Sequence, residues 1–299
     1  MPGDAPLDLR TTLAWFPEGR DVVRVAGPDA IEYLQGQLSQ DIGALAVGSS
    51  ARSFVLQPMG KVDAWVRVTR TGADEAVLDV DAGHGDALMA RLRRFLLRTK
   101  ADVDPLDWRA VALRGPGAAA AVPVATGGDL LVVPAGWPGV DGVDLVGRAV
   151  EPPPGIPEAD PSAYESLRIR SGVPRMGAEL TEATIPAEAG QWVIDASVSF
   201  TKGCFTGQEL VARIDSRGGH VPRRLRGLVV GAAERPPVGA PVVVDGAEVG
   251  KVTSVAPAPG TDQGVALAYI GRRVTPPAAA EARHGGGALP VTIVDLPMA

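Results

Sequence analysis

From residue 221 onward the chain breaks into short valine-rich runs fenced by glycine and proline: RGLVVG, APVVVDG, AEVGKVTSVAP, GVALAYI and LPVTIVDL. Runs this short and this rich in β-branched residues are spaced like strands of a compact antiparallel barrel or sandwich. Asp245-Gly246, inside VVVDGAEVGKV, adds a hairpin signal. Residues 221–299 therefore read as a separate β domain with little chemistry of its own. Upstream the texture is mixed. RDVVRVAG is a strand-like run, and in GPDAIEYLQGQLSQDIGAL the residues Ile31, Leu34, Leu38, Ile42 and Leu45 recur at steps of three and four. That spacing predicts an amphipathic helix opened by Pro28 or Asp29. SFVLQPMGKVDAWVRVTRT predicts two strands around a Pro-Met-Gly turn. After the strand AVLDVDAG, DALMARLRRFLLRTK predicts a second helix with Leu88, Leu92, Phe95 and Leu96 facing inward. From about 107 the pattern partly repeats, with WRAVALRG, a small-residue stretch and DLLVVPAG. EPPPGIPEADP is helix-hostile and marks a connection. SAYESLRIRSG then predicts a short helix, with Ser162 and Glu165 as a capping box and Gly172 and Pro174 as the stop. The organisation expected is an α+β domain over 1–106, a second α+β region over 107–220 with the chain free to cross between the two, and the β domain over 221–299.

A chain of 299 residues, 45% hydrophobic and 21% charged, suits a soluble globular protein of two or three domains. Its single cysteine excludes an internal disulfide and any site built from several thiolates of one chain. A net charge of −6 argues against generic nucleic-acid binding, which rests on phosphate neutralisation. Local basic groups remain, with Arg91, Arg94 and Arg98 on one predicted helix face and Arg223, Arg224 and Arg226 close together. The N-terminus MPGDAPLDLR carries acids where a secretory leader needs basic and then apolar residues. No apolar run approaches the roughly 20 residues that span a bilayer. The expectation is a cytoplasmic protein without membrane contact.

Chemistry gathers in FTKGCFTGQE, residues 200–209, which holds the only cysteine and one of four lysines. Thr206-Gly-Gln-Glu209 has the form of a capping box ahead of Leu210, Val211 and Ile214, which gives Glu209 a structural explanation that Gln208 lacks. Cys204 would stand just ahead of a helix N-terminus with Lys202 beside it. Both influences favour a thiolate, so Cys204 is a candidate reactive thiol or ligand; the alternative is a small buried hydrophobe. A Cys-His hydrolase would need one of His84, His220 or His284, all in glycine-rich settings with nothing to orient them. No HExxH, GxxxxGK or GxSxG pattern occurs, and no ligand cluster suggests a mononuclear metal site.

FTKGCFTGQELVAR resembles the signature of the YgfZ family, which is related to the T-protein (aminomethyltransferase) of the glycine cleavage system. GPDAIEYLQGQLSQDI, LQPMGKVDAWVRV, RIRSGVPRMG, TIPAEAG and GKVTSVAP resemble further family segments in the expected order, so the likeness runs along essentially the whole chain. The resemblance implies an α+β, T-protein-like ring of three domains around a central folate channel, ending in an antiparallel β-barrel. It implies a factor that supports assembly, maintenance or repair of iron–sulfur proteins, including tRNA-modifying enzymes, rather than a stand-alone enzyme. The implied cofactor is tetrahydrofolate or a one-carbon derivative. The implied partners are iron–sulfur client or assembly proteins, with a cluster shared through Cys204 as a further option. By this resemblance Cys204 and Lys202 carry the chemistry. Tyr164 takes the place of a folate-contacting aromatic residue, and Arg20 stands where the family has a second one. Gln208, Glu209 and Asp63 complete the candidate cofactor-binding set. T-proteins carry paired aspartates after a glycine turn; GKVDAWV has Ala64 and Trp65 there, with Asp63 expected on the face opposite Ala64. The transferase alternative therefore lacks its carboxylate, and a non-catalytic scaffold is the third reading.

Overall fold

The computed structural model describes residues 7–122, 129–231 and 234–298. The first six residues of the N-terminal leader argument lie outside them. The chain begins in one sheet and moves at once to another. Strand β1 (Ala14–Glu18) is followed after a single glycine by β2 (Arg20–Ala26). β2 joins β3 (Ser50–Leu56), β4 (Val62–Arg70), β5 (Glu75–Asp81) and β6 (Asp102–Leu106) in a five-stranded antiparallel sheet of order β3-β4-β5-β2-β6. β1 instead pairs with β7 (Arg109–Arg114), which continues to β9 (Gly142–Gly147) and β8 (Leu130–Pro134). Beyond these, β10 (Arg223–Val230), β11 (Pro241–Val244), β12 (Ala247–Pro257), β13 (Gly264–Gly271), β14 (Ala278–His284) and β15 (Gly287–Val294) close into a barrel of order β10-β13-β12-β11-β14-β15. Closure removes the exposed edges that valine-rich strands would otherwise offer. The β11–β12 hairpin turns at Asp245 and Gly246, both at positive φ (50° and 81°), the pairing an Asp-Gly hairpin requires.

Among the described residues five short α-helices dress this frame: α1 (Ala30–Gln37), α2 (Gly85–Arg93), α3 (Pro161–Arg170), α4 (Gln191–Ser197) and α5 (Gln208–Ser216). α1 is much shorter than its apolar spacing predicts. Leu38 turns to extended backbone and bridges Val55, while the Gln35 side-chain oxygen accepts the N–H groups of Ile42 and Gly43. Leu38 and Ile42 are buried all the same, so the spacing recorded burial and not helix. α2 likewise ends at Arg93, and Phe95 is half exposed under the Arg91 guanidinium instead of facing inward. α3 is capped by Asp160, whose carboxylate accepts the Ser162 N–H, with Pro161 in the first turn. The expected Ser162–Glu165 box is not made; Glu165 pairs with Arg168 and Arg175. Gly172, at φ 69°, ends the helix as its sequence predicts. The barrel is tied to the rest through α3: Arg168 reaches Glu179 and Ser254, and the Tyr269 hydroxyl donates to the Glu179 carbonyl.

Candidate functional site

Charged residues inside otherwise apolar strands meet between the two sheets. Strand pairing sets Arg52, Arg67 and Asp79 side by side across β3, β4 and β5, and Arg20 opposite Asp81. Arg67 grips both oxygens of Asp79 at 2.9 and 3.2 Å and crosses to Asp144 on β9 at 2.5 Å. Arg114 on β7 meets the other oxygen of Asp144 at 2.6 Å and lies 3.6 Å from Glu18. Arg20 pairs with Asp79 at 2.8 Å and with Asp81. Arg67, Asp79, Arg114 and Asp144 are all buried. Burial alone would raise the carboxyls of Asp79 and Asp144, but the guanidiniums of Arg67, Arg20 and Arg114 hold both below the usual range. Glu18 goes the other way, pushed up by burial and by the charge of Asp144.

Tyr164 and Arg20, the expected folate contacts, both belong to this layer. The Tyr164 ring stacks on Phe16 with centroids 4.3 Å apart, and Trp137 tilts against it at 5.4 Å. Its hydroxyl accepts from Arg114 at 3.2 Å, and only 3% of the residue is exposed. Burial raises its phenol well above the ordinary value. One face of the ring is thus already covered, and Arg20 is held by acids; neither side chain is a free ligand contact in this conformation. A different aromatic pair borders the layer. Arg52, half-buried, lies over the Trp65 ring at 4.5 Å, and Trp192 meets Trp65 edge-on at 6.1 Å. Trp192 also lines a cleft of about 310 Å³ with Pro138, Arg224, Arg226 and Pro297, between α4 and the barrel.

The 200–209 segment is anchored elsewhere, on α1 and the β3–β4 turn. The Lys202 ammonium donates to three backbone carbonyls, those of Gln35 at 2.5 Å, Leu38 at 2.7 Å and Gln40 at 2.9 Å. These lie at and just beyond the C-terminal end of α1, where a cation is favoured. Burial pushes Lys202 down to about 8, opposed by the charge of Asp41. All three donor positions of the ammonium are filled by these carbonyls, so the expected role of Lys202 beside the thiol gives way to a clamp on the loop. Two glycines make the second anchor. A Cβ on Gly207 would fall 2.4 Å from the Gln57 carbonyl oxygen, and one on Gly60 would fall 2.5 Å from the Leu210 Cβ. Both also take positive φ, so the QPMGK turn and the motif loop fit together only as glycine against glycine.

Between these anchors Cys204 is exposed, as are Gly203 and Thr201. Phe200 (47% exposed) precedes it, and Met59 (77% exposed) stands at the tip of the facing turn. The predicted Thr206 cap is not formed: α5 starts after Gly207, and no side chain caps it there. The Gln208 side-chain oxygen accepts the Phe205 N–H at 3.1 Å, while Glu209 points into solvent. The structural role assigned to Glu209 therefore belongs to Gln208, one position earlier. Asp63 sits at the bulge between the pairs Val55–Ala64 and Leu56–Val62, and its carboxylate is held by Arg91 at 3.0 Å. Ala64 and Trp65 are core residues, with the Trp65 indole donating to Ser197. Among the described residues no group of three or more His, Cys, Asp and Glu is placed to hold a metal ion. Among the described residues no helix is long and apolar enough to cross a membrane.

Sequence reasoning thus brought Lys202, Cys204 and Gln208 together in one loop but missed Glu18, Arg52, Arg67, Asp79, Arg114 and Asp144. For Arg67, Asp79 and Asp144 the signal was present: each is a lone charge within an apolar strand run, in AWVRV, VLDV and VDLVG. A lone charge flanked by buried apolar residues calls for a partner across the sheet.

Comparison with known proteins agrees with this architecture. Residues 223–299 match the family described as glycine cleavage T-protein C-terminal barrel domain. An aminomethyltransferase of Thermus thermophilus is 29% identical over 302 residues, covering 91% of this chain and 83% of that protein. The tRNA-modifying protein YgfZ of Edwardsiella ictaluri is 28% identical over 253 residues, covering 78% and 73%. A mitochondrial iron–sulfur cluster assembly factor IBA57 homolog of Neurospora crassa is 27% identical over 230 residues, covering 71% of this chain and 52% of the longer relative. The crystal structure of aminomethyltransferase T of the glycine cleavage system from Bartonella henselae superposes with a TM-score of 0.79 at 21% identity, covering 97% and 87%. The fold is that of the T-protein, with a closed six-stranded barrel at its C-terminal end.

Proposed function

Because the chain belongs to the YgfZ family, related to the T-protein, we propose that it is a tetrahydrofolate-binding accessory protein for iron–sulfur proteins, with Cys204 as its working atom. The carrying observation is the presentation of Cys204. An exposed thiol stands on a loop that Lys202 and the Gly60–Gly207 contact fix from both sides. A thiol held in this way suits transient ligation of a cluster that a partner delivers or receives, since a thiolate is the iron ligand of such clusters. Exposed Phe200 and Met59 supply apolar surface for that partner. The names of the YgfZ and IBA57 relatives support the iron–sulfur assignment and its link to tRNA modification.

In this reading folate binds at the sheet junction. The residues there fit such a ligand through Arg52, whose guanidinium is paired with no carboxylate among the described residues, and through the indoles of Trp65 and Trp192. Trp192 would wall the ring system and Arg52 would hold an anionic group, while Tyr164, Arg20, Arg67 and Arg114 keep the two sheets in register around it. Bound folate supplies a carrier for one-carbon units. Transfer of an aminomethyl group is not part of the proposal: Ala64 and Trp65 are buried apolar residues, and Asp63 is held by Arg91.

Anaerobic calorimetry with tetrahydrofolate and its one-carbon derivatives tests the ligand. A cell lacking the protein, complemented with wild type or Cys204→Ala, tests the function through its content of thiolated tRNA nucleosides. Saturable folate binding, and rescue by wild type only, are expected. Absence of folate binding together with full rescue by Cys204→Ala would leave the scaffold reading in its place.

A further inference from the structure

Four arginines and four carboxylates meet around the sheet junction: Arg20, Arg52, Arg67 and Arg114 with Glu18, Asp79, Asp81 and Asp144. Three of the arginines each lie against at least two of these carboxylates. Arg52 lies against none. The one hydrogen bond of its side chain among the described residues runs to the Ala135 carbonyl at 3.3 Å, and its planar face rests on Trp65. Burial, and repulsion from Arg67 and Arg20 that outweighs the pull of Asp79 and Asp144, push its guanidinium down to about 10. It stays charged at neutral pH with no carboxylate in contact among the described residues. A half-buried, uncompensated guanidinium costs folding energy unless something else is gained.

We infer that Arg52 is the anion-recognising residue of the ligand site, pairing with a carboxylate of the bound molecule while Trp65 holds the guanidinium plane. Arginine suits the task, since its fork matches a carboxylate bidentately and its face stacks on an aromatic ring. This rests on the folate reading and specifies it. At neutral pH the pterin and aminobenzoyl parts of a reduced folate are uncharged, so its only anionic groups are the carboxylates of the glutamyl tail. Arg52 therefore reads the tail, and the indole of Trp192 is left for the flat part of the ligand. The same chemistry predicts weak binding of pterins that carry no glutamate.

The test compares tetrahydrofolate with tetrahydropteroate, which lacks the glutamate, by anaerobic calorimetry on wild type, Arg52→Gln and Arg52→Lys. A charge-assisted pair contributes about 1.5–3 kcal/mol, so wild type is expected to favour tetrahydrofolate by roughly 10- to 150-fold. Arg52→Gln is expected to bind both ligands at the pteroate level, and Arg52→Lys to recover part of the preference. Without ligand, Arg52→Gln is expected to melt at or above the wild-type temperature, because an unpaired charge has been removed. Equal affinity of wild type for the two ligands, or a preference that survives Arg52→Gln, overturns the inference and leaves folate binding intact. Melting far below wild type in both variants makes Arg52 a structural residue and overturns it as well. Binding of neither ligand to wild type removes this inference and the folate reading together.

Discussion

The junction between the sheets and the loop around Cys204 both gather polar groups, and they use them in opposite ways. At the junction Arg67, Arg114, Asp79 and Asp144 are buried and spend their charge on one another. In the loop, Lys202 also turns inward, to three carbonyls, but the thiol on the loop it supports is left in solvent. The first arrangement fixes two layers against each other. The second fixes a backbone path and leaves the Cys204 thiol in solvent. Polar residues that satisfy each other are scaffold, and function is to be sought where a fixed frame ends in an unspent group. By that criterion Cys204 and Arg52 are the groups to test.

The largest way to break the contrast is at the junction. Removing Arg67 with Arg67→Met leaves Asp79 and Asp144 with reduced compensation, and a loss of about 3–5 kcal/mol in unfolding free energy is expected from denaturant titration. A loss under 1 kcal/mol would mean that the layer is not load-sharing. Acid titration probes the same layer. Asp79 and Asp144 have depressed folded values, so their stabilisation is fully present above the unfolded carboxylate range and is lost as the pH falls below about 4. Glu18 has the opposite sign: its charged form is disfavoured in the fold, so acidification through its raised value recovers stability. The expected profile falls steeply at low pH, with the contribution of Glu18 opposing the fall, and Asp79→Asn should blunt it.

In the loop the effects are smaller and graded. Lys202→Ala should cost about 2 kcal/mol, the scale of hydrogen bonds to a charged group. Local proteolysis and amide exchange over 198–207 should rise with it. Gln208→Ala should cost about 1 kcal/mol, as for loss of a cap, and Glu209→Ala close to nothing. Equal costs at 208 and 209 would restore the capping box expected from sequence. Cys204→Ser should change stability by less than about 0.5 kcal/mol, as for an exposed position.

Much of the fold was legible because its signals are local. The valine runs after 221, the Asp245-Gly246 turn and the Pro-Met-Gly turn each name a backbone geometry, and each appears where the sequence puts it. The helices were read too long where burial imitates periodicity: Leu38 and Ile42 pack inward from extended chain, and Gln35 supplies the hydrogen bonds that a helix would have made. The site was legible as a loop but not as a set of contacts. Nothing local distinguishes a lysine aimed at a thiol from one aimed at the carbonyls of residues more than 160 positions away. The counter-ions of the junction were hidden for the same reason, since Arg67 meets Asp144 across 77 residues of chain and between two sheets.

The account turns on Cys204 being functional and not structural, and one paired measurement tests this most directly. Cells lacking the protein are complemented with wild type or Cys204→Ala, and thiolated tRNA nucleosides are quantified, with the melting temperature and tetrahydrofolate affinity of each purified protein as controls. The predicted result is a Cys204→Ala protein that melts and binds folate like wild type yet fails to restore the nucleosides. Full restoration by Cys204→Ala would contradict the account, and the exposed thiol would then be an ordinary surface residue on a well-held loop.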